Sequence, residues 1–422
     1  MPTFANELQI LNSIILQNGN GSRTQTSVQD TSPNPCSPVI TKVEAWIVQV
    51  PFLKEWVTSE AYGTQPDQPR VIVRIETEDE TYGWGEGVLF WPRALVQSAA
   101  QRLVGRHLDE LRICLLPLHE KGASYWEHPH PPSPYAARLE NLQHRVRHPM
   151  QTIFEMALCD LQSRAANLSL SSFLGGRWRS RIASDYWIPR MLPEEASLCA
   201  ARGKSLGFTG LKMKATLEDD NVQRLEAIHR ECGADFHLTV DPNGRFYRLD
   251  DALPTIRRME RVGNLTTLED PFPRAALCES KALRARTDVR IVLHIDPPES
   301  LASVISSGAA GGLNLDSHNS GIHRWLRMAA AADAANLPVW HGSGLDLGIY
   351  TAAQLHLAAA APNCQLPGDH AGPWLRESDL LMNSLKIENG GITVPSGPGL
   401  GIEVDMAALD RYTTGYFSVP LP

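Results

Sequence analysis

Cysteine is sparse and unpaired in this sequence. Seven cysteines lie scattered over 422 residues, at positions 36, 114, 159, 199, 232, 278 and 364, and no C-x-x-C occurs among them. An odd, dispersed set is neither a disulfide framework nor a zinc knuckle. It predicts reduced, buried thiols in a cytoplasmic protein. A long apolar run is also lacking: no stretch of about 18 apolar residues occurs, so no membrane span is expected. The apolar stretch Leu8–Leu16 is short, interrupted by Asn12 and Ser13 and without a basic flank, and does not read as a secretory signal. Positive charge is in deficit, with 39 Lys and Arg against 47 Asp and Glu and a net charge of −8. That balance argues against a nucleic-acid partner, which calls for a basic patch or stripe. It also argues against an anionic membrane surface as partner.

What is present suits a folded chain of two domains. Hydrophobic residues make up 43% and charged residues 20%, enough for a sizeable core. Residues 1–37 are rich in Asn, Ser, Gln, Thr and Pro and read as a mobile tail. Beyond them Val43, Ala45 and Ile47 alternate with Glu44, Trp46 and Val48, as a strand does. Arg70–Thr77 is a second alternating run, and Thr81–Gly87 a third after the turn Glu78-Asp79-Glu80. Helical pattern follows at Pro92–Leu103. It returns at Met150–Asn167, where Ile153, Met156, Ala157, Asp160, Leu161 and Arg164 recur at helical spacing. Residues 38–180 thus predict an α+β domain.

From residue 181 the texture becomes strand, helix, strand, helix. Eight short apolar strands are expected: Ile182–Ile188, Gly210–Lys214, Phe236–Asp241, Leu265–Glu269, Arg290–His294, Gly312–Asp316, Pro338–His341 and Gln365–Asp369. With helical segments such as Leu217–Glu231 and Ile322–Ala335 between them, they predict an α/β domain, a modified (β/α)8 or TIM-like barrel over 181–411. Gly390-Gly391 and Pro395–Gly401 break helices, so the segment 390–422 is expected to replace part of the last helix and return toward the first domain.

Active sites of such barrels lie at the C-terminal ends of the strands. Those ends carry Lys212 and Lys214, Asp241 with Asn243, Glu269 with Asp270, His294 with Asp296, Asp316, His341, and Asp369 with His370. Any one of these alone is an ordinary solvated residue beginning a loop. Seven consecutive strand ends aiming charge at one mouth would cost stability unless they hold a metal or a ligand. Asp241 and Glu269, hard oxygen donors on neighbouring strands, suit Mg²⁺. His294 and Asp296 share a face by strand alternation, and either can supply a third ligand. Lys212 and Lys214 also share a face; their mutual repulsion would lower the pKa of one and make it a base. Asp316 and His341 end adjacent strands and are expected to pair as a second acid/base, the carboxylate fixing the imidazole tautomer.

From about Pro38 to Arg411 the chain resembles the enolase superfamily, in its mandelate racemase/muconate lactonizing branch. The matching pieces are Tyr82-Gly-Trp-Gly-Glu-Gly87, Gly210-Leu-Lys-Met-Lys214, Val240-Asp-Pro-Asn-Gly244, Leu268-Glu-Asp-Pro271 and Gly397-Pro-Gly-Leu-Gly-Ile-Glu-Val-Asp405. The resemblance implies an α+β capping domain whose loops, around Trp56–Gly63 and Gly85–Trp91, close on the substrate, with Trp56 and Tyr62 as contacts. It implies one Mg²⁺ per subunit at Asp241, Glu269 and a third site, and abstraction of the proton α to a carboxylate to give an enediolate.

The subgroup signals are mixed. Asp316-Ser-His-Asn-Ser-Gly321 with His341 resembles the racemase and acid-sugar dehydratase pattern. Gly342-Ser-Gly-Leu-Asp-Leu-Gly348 resembles the muconate lactonizing loop, with Asp346 where that group tends to carry Glu. The latter group places a Lys at the end of strand six, where this chain has Asp316. The strand-five acid is also displaced: His294 or Ile295 takes its place and Asp296 follows. A histidine ligand there would favour another divalent metal. Asn243, Asp346 and Asp369 are further expected substrate contacts.

The leading expectation is a Mg²⁺-dependent lyase that dehydrates an acid sugar or related hydroxy acid. In it Lys214 takes the α-proton, Lys212 helps to hold the enediolate, and His341, oriented by Asp316, protonates the departing hydroxyl. The alternatives are a racemase or epimerase, a cycloisomerase, or a non-catalytic ligand-binding barrel. The expected partner is a small carboxylate, and a homo-oligomer follows from the resemblance.

Overall fold

The computed structural model describes residues 37–88, 93–110, 149–296, 300–318 and 320–422. The expected tail up to residue 36, and residues 89–91 of the second expected capping loop, lie outside the described residues. Pro38–Pro422 form one compact unit. Its first layer is a four-stranded antiparallel sheet in the order Thr413–Pro420, Ile40–Val48, Arg70–Thr77, Tyr82–Val88. The chain's last strand therefore completes the sheet that its first strand begins.

Helix Pro149–Ala165 lies across the strand Tyr82–Val88. The run Tyr82-Gly-Trp-Gly-Glu-Gly87 explains how closely. Gly83, Gly85 and Gly87 share one face at period two, and a Cβ on Gly83 or Gly85 would meet the helix carbonyls of Ala157 at 2.0 Å or Ile153 at 2.1 Å. Only glycine permits that approach.

Seven parallel strands curl beside this layer: Tyr186–Ile188, Gly210–Lys214, His237–Asp241, Leu265–Glu269, Arg290–Ile295, Gly312–Leu315 and Val339–His341, each paired with the next. Helices follow each of them, from Pro193–Leu206 to Gly348–Ala360. Two expectations are corrected here. The expected first strand Ile182–Ile188 divides: Arg181–Ala183 pairs antiparallel with Gly391–Thr393, and only Tyr186–Ile188 enters the barrel.

The expected eighth strand Gln365–Asp369 forms only isolated bridges, Cys364 to Val339 and Gly368 to Ser184. Backbone bonds still close the circle, from Gln365 N to the Val339 carbonyl at 3.1 Å and from Asp185 N to the Gly368 carbonyl at 2.7 Å. Pro367 has no N–H to donate and Gly368 weakens strand geometry, which is why no regular ladder forms there.

Two buried carboxylates fasten the sheet layer to the barrel by capping barrel helices, whose first N–H groups lack intrahelical partners. Glu86 accepts from Leu347 N at 2.7 Å and Tyr350 N at 2.8 Å, at the start of Gly348–Ala360. Glu155 accepts from Ile322 N and His323 N, both at 3.1 Å, at the start of Ile322–Ala334. Burial pushes the Glu86 carboxyl up to about 7.

Candidate active site

Strand alternation decides which side chains face the barrel mouth. Lys212 and Lys214 both do. Lys212 is buried, with its Nζ 2.5 Å from Glu269, 2.9 Å from Asp369 and 3.4 Å from Asp241. It also lies 5.6 Å from the ring centre of Trp340. Lys214 Nζ donates to Asp241 Oδ2 at 2.5 Å and to Asn243 Oδ1 at 3.0 Å. Its side chain is 28% exposed against 5% for Lys212, so of the two it is the more accessible.

The same grouping sets the titration of its members. Burial would lower the Lys212 ammonium, but Asp369, Glu269 and Asp241 outweigh it and raise it. The expected lowering therefore does not fall on Lys212. Burial, then the neighbouring Asp241, push Glu269 upward. Asp241 is held below the carboxylate range because Lys214 and Lys212 overcome its burial. Asn314, the register partner of His294 on strand six, donates to Glu269 Oε1 at 2.6 Å. Asp369 also accepts from Ser343 N at 3.0 Å. Lys212, Lys214, Asp241, Asn243, Glu269 and Asp369 thus form one connected cluster.

The third expected ligand position looks elsewhere. Arg274, four residues beyond Asp270, donates through Nε to Asp270 Oδ2 at 2.7 Å and through Nη1 to Asp296 Oδ2 at 3.2 Å. Its Nη2 lies 3.1 Å from His294 Nδ1. Among the described residues no group of three His, Cys, Asp or Glu side chains converges on a cation position. Asp241 and Glu269 still fit a divalent cation as a pair. They are oxygen donors on adjacent strands, and Glu269 is pressed toward protonation, a strain that a cation relieves. Mg²⁺ commonly binds through one or two carboxylates and keeps waters.

On the opposite side the expected Asp316–His341 pair does not form. Trp340 faces inward over Lys212, so its neighbour His341 faces outward, into the layer between strands and helices. The His341 ring is fully buried and stacks on Trp325, centroids 5.0 Å apart. Its Nδ1 donates to the Gly342 carbonyl at 2.6 Å and its Nε2 meets the Ser317 hydroxyl at 2.9 Å. Burial pushes it down to about 3, a neutral imidazole at ordinary pH.

Asp316 pairs instead with His318, whose Nδ1 lies 2.5 Å from Asp316 Oδ1 and whose Nε2 lies 2.8 Å from Asp346 Oδ1. Burial would lower the His318 imidazolium, but Asp316 and Asp346 outweigh it and hold it up at about 10. Asp346 is fully buried and also accepts from Gln354 Nε2, Gly344 N and Arg70 Nη1, at 2.9, 2.9 and 3.3 Å. That environment ties it to His318, Gln354, Arg70 and its own loop. His318 lies within the run Asp316–Gly321. The signal that would have found it is a second ionisable residue two beyond a strand-end acid.

The capping residues divide. The loop that carries them forms a small hairpin, Thr58–Ser59 with Gly63–Thr64. Tyr62 sits over the first two barrel loops. Its hydroxyl donates to Asp219 at 3.1 Å and Arg190 lies 4.2 Å from its ring centre. Trp56 turns instead to the outer helix Pro193–Leu206, with Arg202 4.6 Å from its ring centre.

Comparison with known proteins finds similar sequences and folds. Residues 194–408 match the family described as enolase C-terminal domain-like. The chain is 26% identical to the L-Ala-D/L-Glu epimerase of Bacillus subtilis over 374 residues, 86% of this chain and 96% of that protein. It is 28% identical to a chloromuconate cycloisomerase of Cupriavidus necator over 271 residues, 61% of this chain and 71% of the relative. Its fold is similar to the crystal structure of a dipeptide epimerase from Cytophaga hutchinsonii complexed with Mg and the dipeptide D-Ala-L-Val. The TM-score there is 0.71 at 23% identity, covering 91% of this chain and all of that one. No described helix is long and apolar enough to cross a membrane.

Proposed function

The chain belongs to the enolase superfamily, in its mandelate racemase/muconate lactonizing family, and on that premise we propose that it is an isomerase. It takes the proton from the carbon α to a carboxylate and returns one to the same carbon. The observation that carries this reading is the unequal pair of lysines. Lys212 is locked among three carboxylates, a fixed positive charge, whereas Lys214 reaches the mouth and can exchange a proton with what binds there. The relatives, an epimerase and a cycloisomerase, favour isomerisation over the dehydration expected from the sequence.

The step balances within these residues. Lys214 takes the α-proton, and the electron pair of the C–H bond moves onto the carboxylate to give an enediolate. The Lys212 ammonium faces that developing charge from a buried position, where electrostatic stabilisation is strongest. Reprotonation calls on the imidazolium of His318, held between Asp316 and Asp346, in the role first expected of His341. Superfamily members generally bind Mg²⁺; Asp241 and Glu269 are the residues that would hold it here, and it would supply electrophilic stabilisation of the developing negative charge. The substrate is a small carboxylate received beside these cations.

The reading is tested by incubating the protein with Mg²⁺ in D₂O against dipeptides, N-acylated amino acids and hydroxy acids. Proton NMR should show one class losing its α-proton signal without loss of a hydroxyl. Release of water from an acid sugar, with no exchange elsewhere, would restore the dehydratase reading instead.

A further inference from the structure

We propose that Arg274 holds the third corner of the cation site, so that a divalent metal is taken by Asp241 and Glu269 alone and more weakly than it would be without the guanidinium. The proposal rests on the two-carboxylate cation site of the preceding section. Arg274 leaves the loop after strand four and spreads its fork over three groups at the ends of strands four and five. Nε takes Asp270 Oδ2 at 2.7 Å, and Nη1 takes the Asp296 carboxylate at 3.2 Å and its carbonyl at 3.4 Å. Nη2 takes His294 Nδ1 at 3.1 Å. Asp270 is fixed in turn, since its Oδ1 accepts from His294 N at 2.9 Å.

The chemistry of these contacts works against both residues that the sequence offers as a third ligand. A guanidinium only donates, so His294 Nδ1 must accept and the ring proton must sit on Nε2. The Nδ1 lone pair is then committed to Arg274, and a protonated Nε2 has none to give a metal. Asp296 is bound to a group that stays charged at every working pH. A permanent positive charge beside Glu269 also repels a second cation there. Metal affinity follows the number and charge of oxygen ligands, so both effects lower it.

Titration of the full-length protein with Mn²⁺, followed by electron paramagnetic resonance of the free ion, decides the point without reading activity. Arg274→Met removes the guanidinium from Asp296 and His294 and should tighten Mn²⁺ binding by at least about tenfold, the scale on which neighbours of a ligand set tune a site. Asp296→Asn should leave the affinity within about twofold, because Asp296 is not a ligand. Equal affinity in Arg274→Met and the parent overturns the proposal. So does a tenfold loss in Asp296→Asn, which decides alone if Arg274→Met does not fold. Asp241→Asn should abolish binding. Mn²⁺ binding by neither the parent nor any variant sinks the cation site itself, whereas binding that needs Asp296 sinks only the role of Arg274.

Discussion

The two sides of the barrel mouth obey different rules. On the side of strands two to four, the charged groups belong to the strands themselves: Lys212 within its strand, and Lys214, Asp241 and Glu269 at the last positions of theirs. Backbone pairing fixes them, Lys214 directly against Asp241, and they converge as their sequence positions imply. On the side of strands six and seven, the expected partners are Asp316, just after its strand, and His341 at the end of another. There the pairing is decided by what the loops bring in. His318 and Asp346 arrive from loops and claim Asp316, while His341 falls on the outward face. Ionisable residues at neighbouring strand ends thus become partners only where the ladder aligns them on the inner face.

The sharpest way to break this comparison is to remove the group on the ordered side that reaches the mouth. Lys214→Ala should lower α-proton exchange by on the order of 10³-fold, measured as deuterium incorporation into whichever carboxylate the protein accepts. A loss of less than about tenfold would place the base elsewhere.

The next largest effect concerns the rearranged side. His318→Asn leaves Asp316 and Asp346 without their buried cation and should cost about 3 kcal/mol of stability near pH 6.5. The pH dependence has a defined sign. The folded His318 titrates near 10 and the ordinary imidazole near 6.5, so the native state binds the extra proton between those values. Its stabilisation is complete below 6.5 and fades as pH rises toward 10. Thermal melts across that window should converge for the parent and His318→Asn. Curves that stay parallel would mean that His318 is not a cation in the fold.

The smallest effect sharpens the contrast from within. His341→Gln should change α-proton exchange by no more than about threefold, because the ring points away from the mouth, while stability falls by about 1–3 kcal/mol from the broken Ser317 and Gly342 contacts. A thousandfold loss of exchange with an unchanged melting temperature would restore His341 to the chemistry.

Much of this was legible in the chain. The order of strands and helices, the glycine run of residues 83–87 and the acidic strand ends of the metal-family pattern are local features, and local periodicity reports them. Less legible were the division of Ile182–Ile188 between two sheets and the collapse of the eighth strand to bridges, although Pro367-Gly368 marked the latter. Glu86 and Glu155 gave no sign that they cap helices 261 and 167 residues away in sequence. Arg274 and His318 were not singled out because their partners come from other loops, and loop side chains carry no period that reveals what they will meet.

The sequence by itself determined the architecture and the inward set of Lys212, Lys214, Asp241 and Glu269. Strand parity is a property of the backbone, and consecutive parallel strands bring those positions into register. Only the tertiary structure decided that Arg274 ties up His294 and Asp296, that Asp316 belongs to His318, and that His341 lies behind the barrel wall. Those outcomes depend on which buried charge finds a counter-charge, and that competition is settled among groups from separate loops once the chain has closed around them.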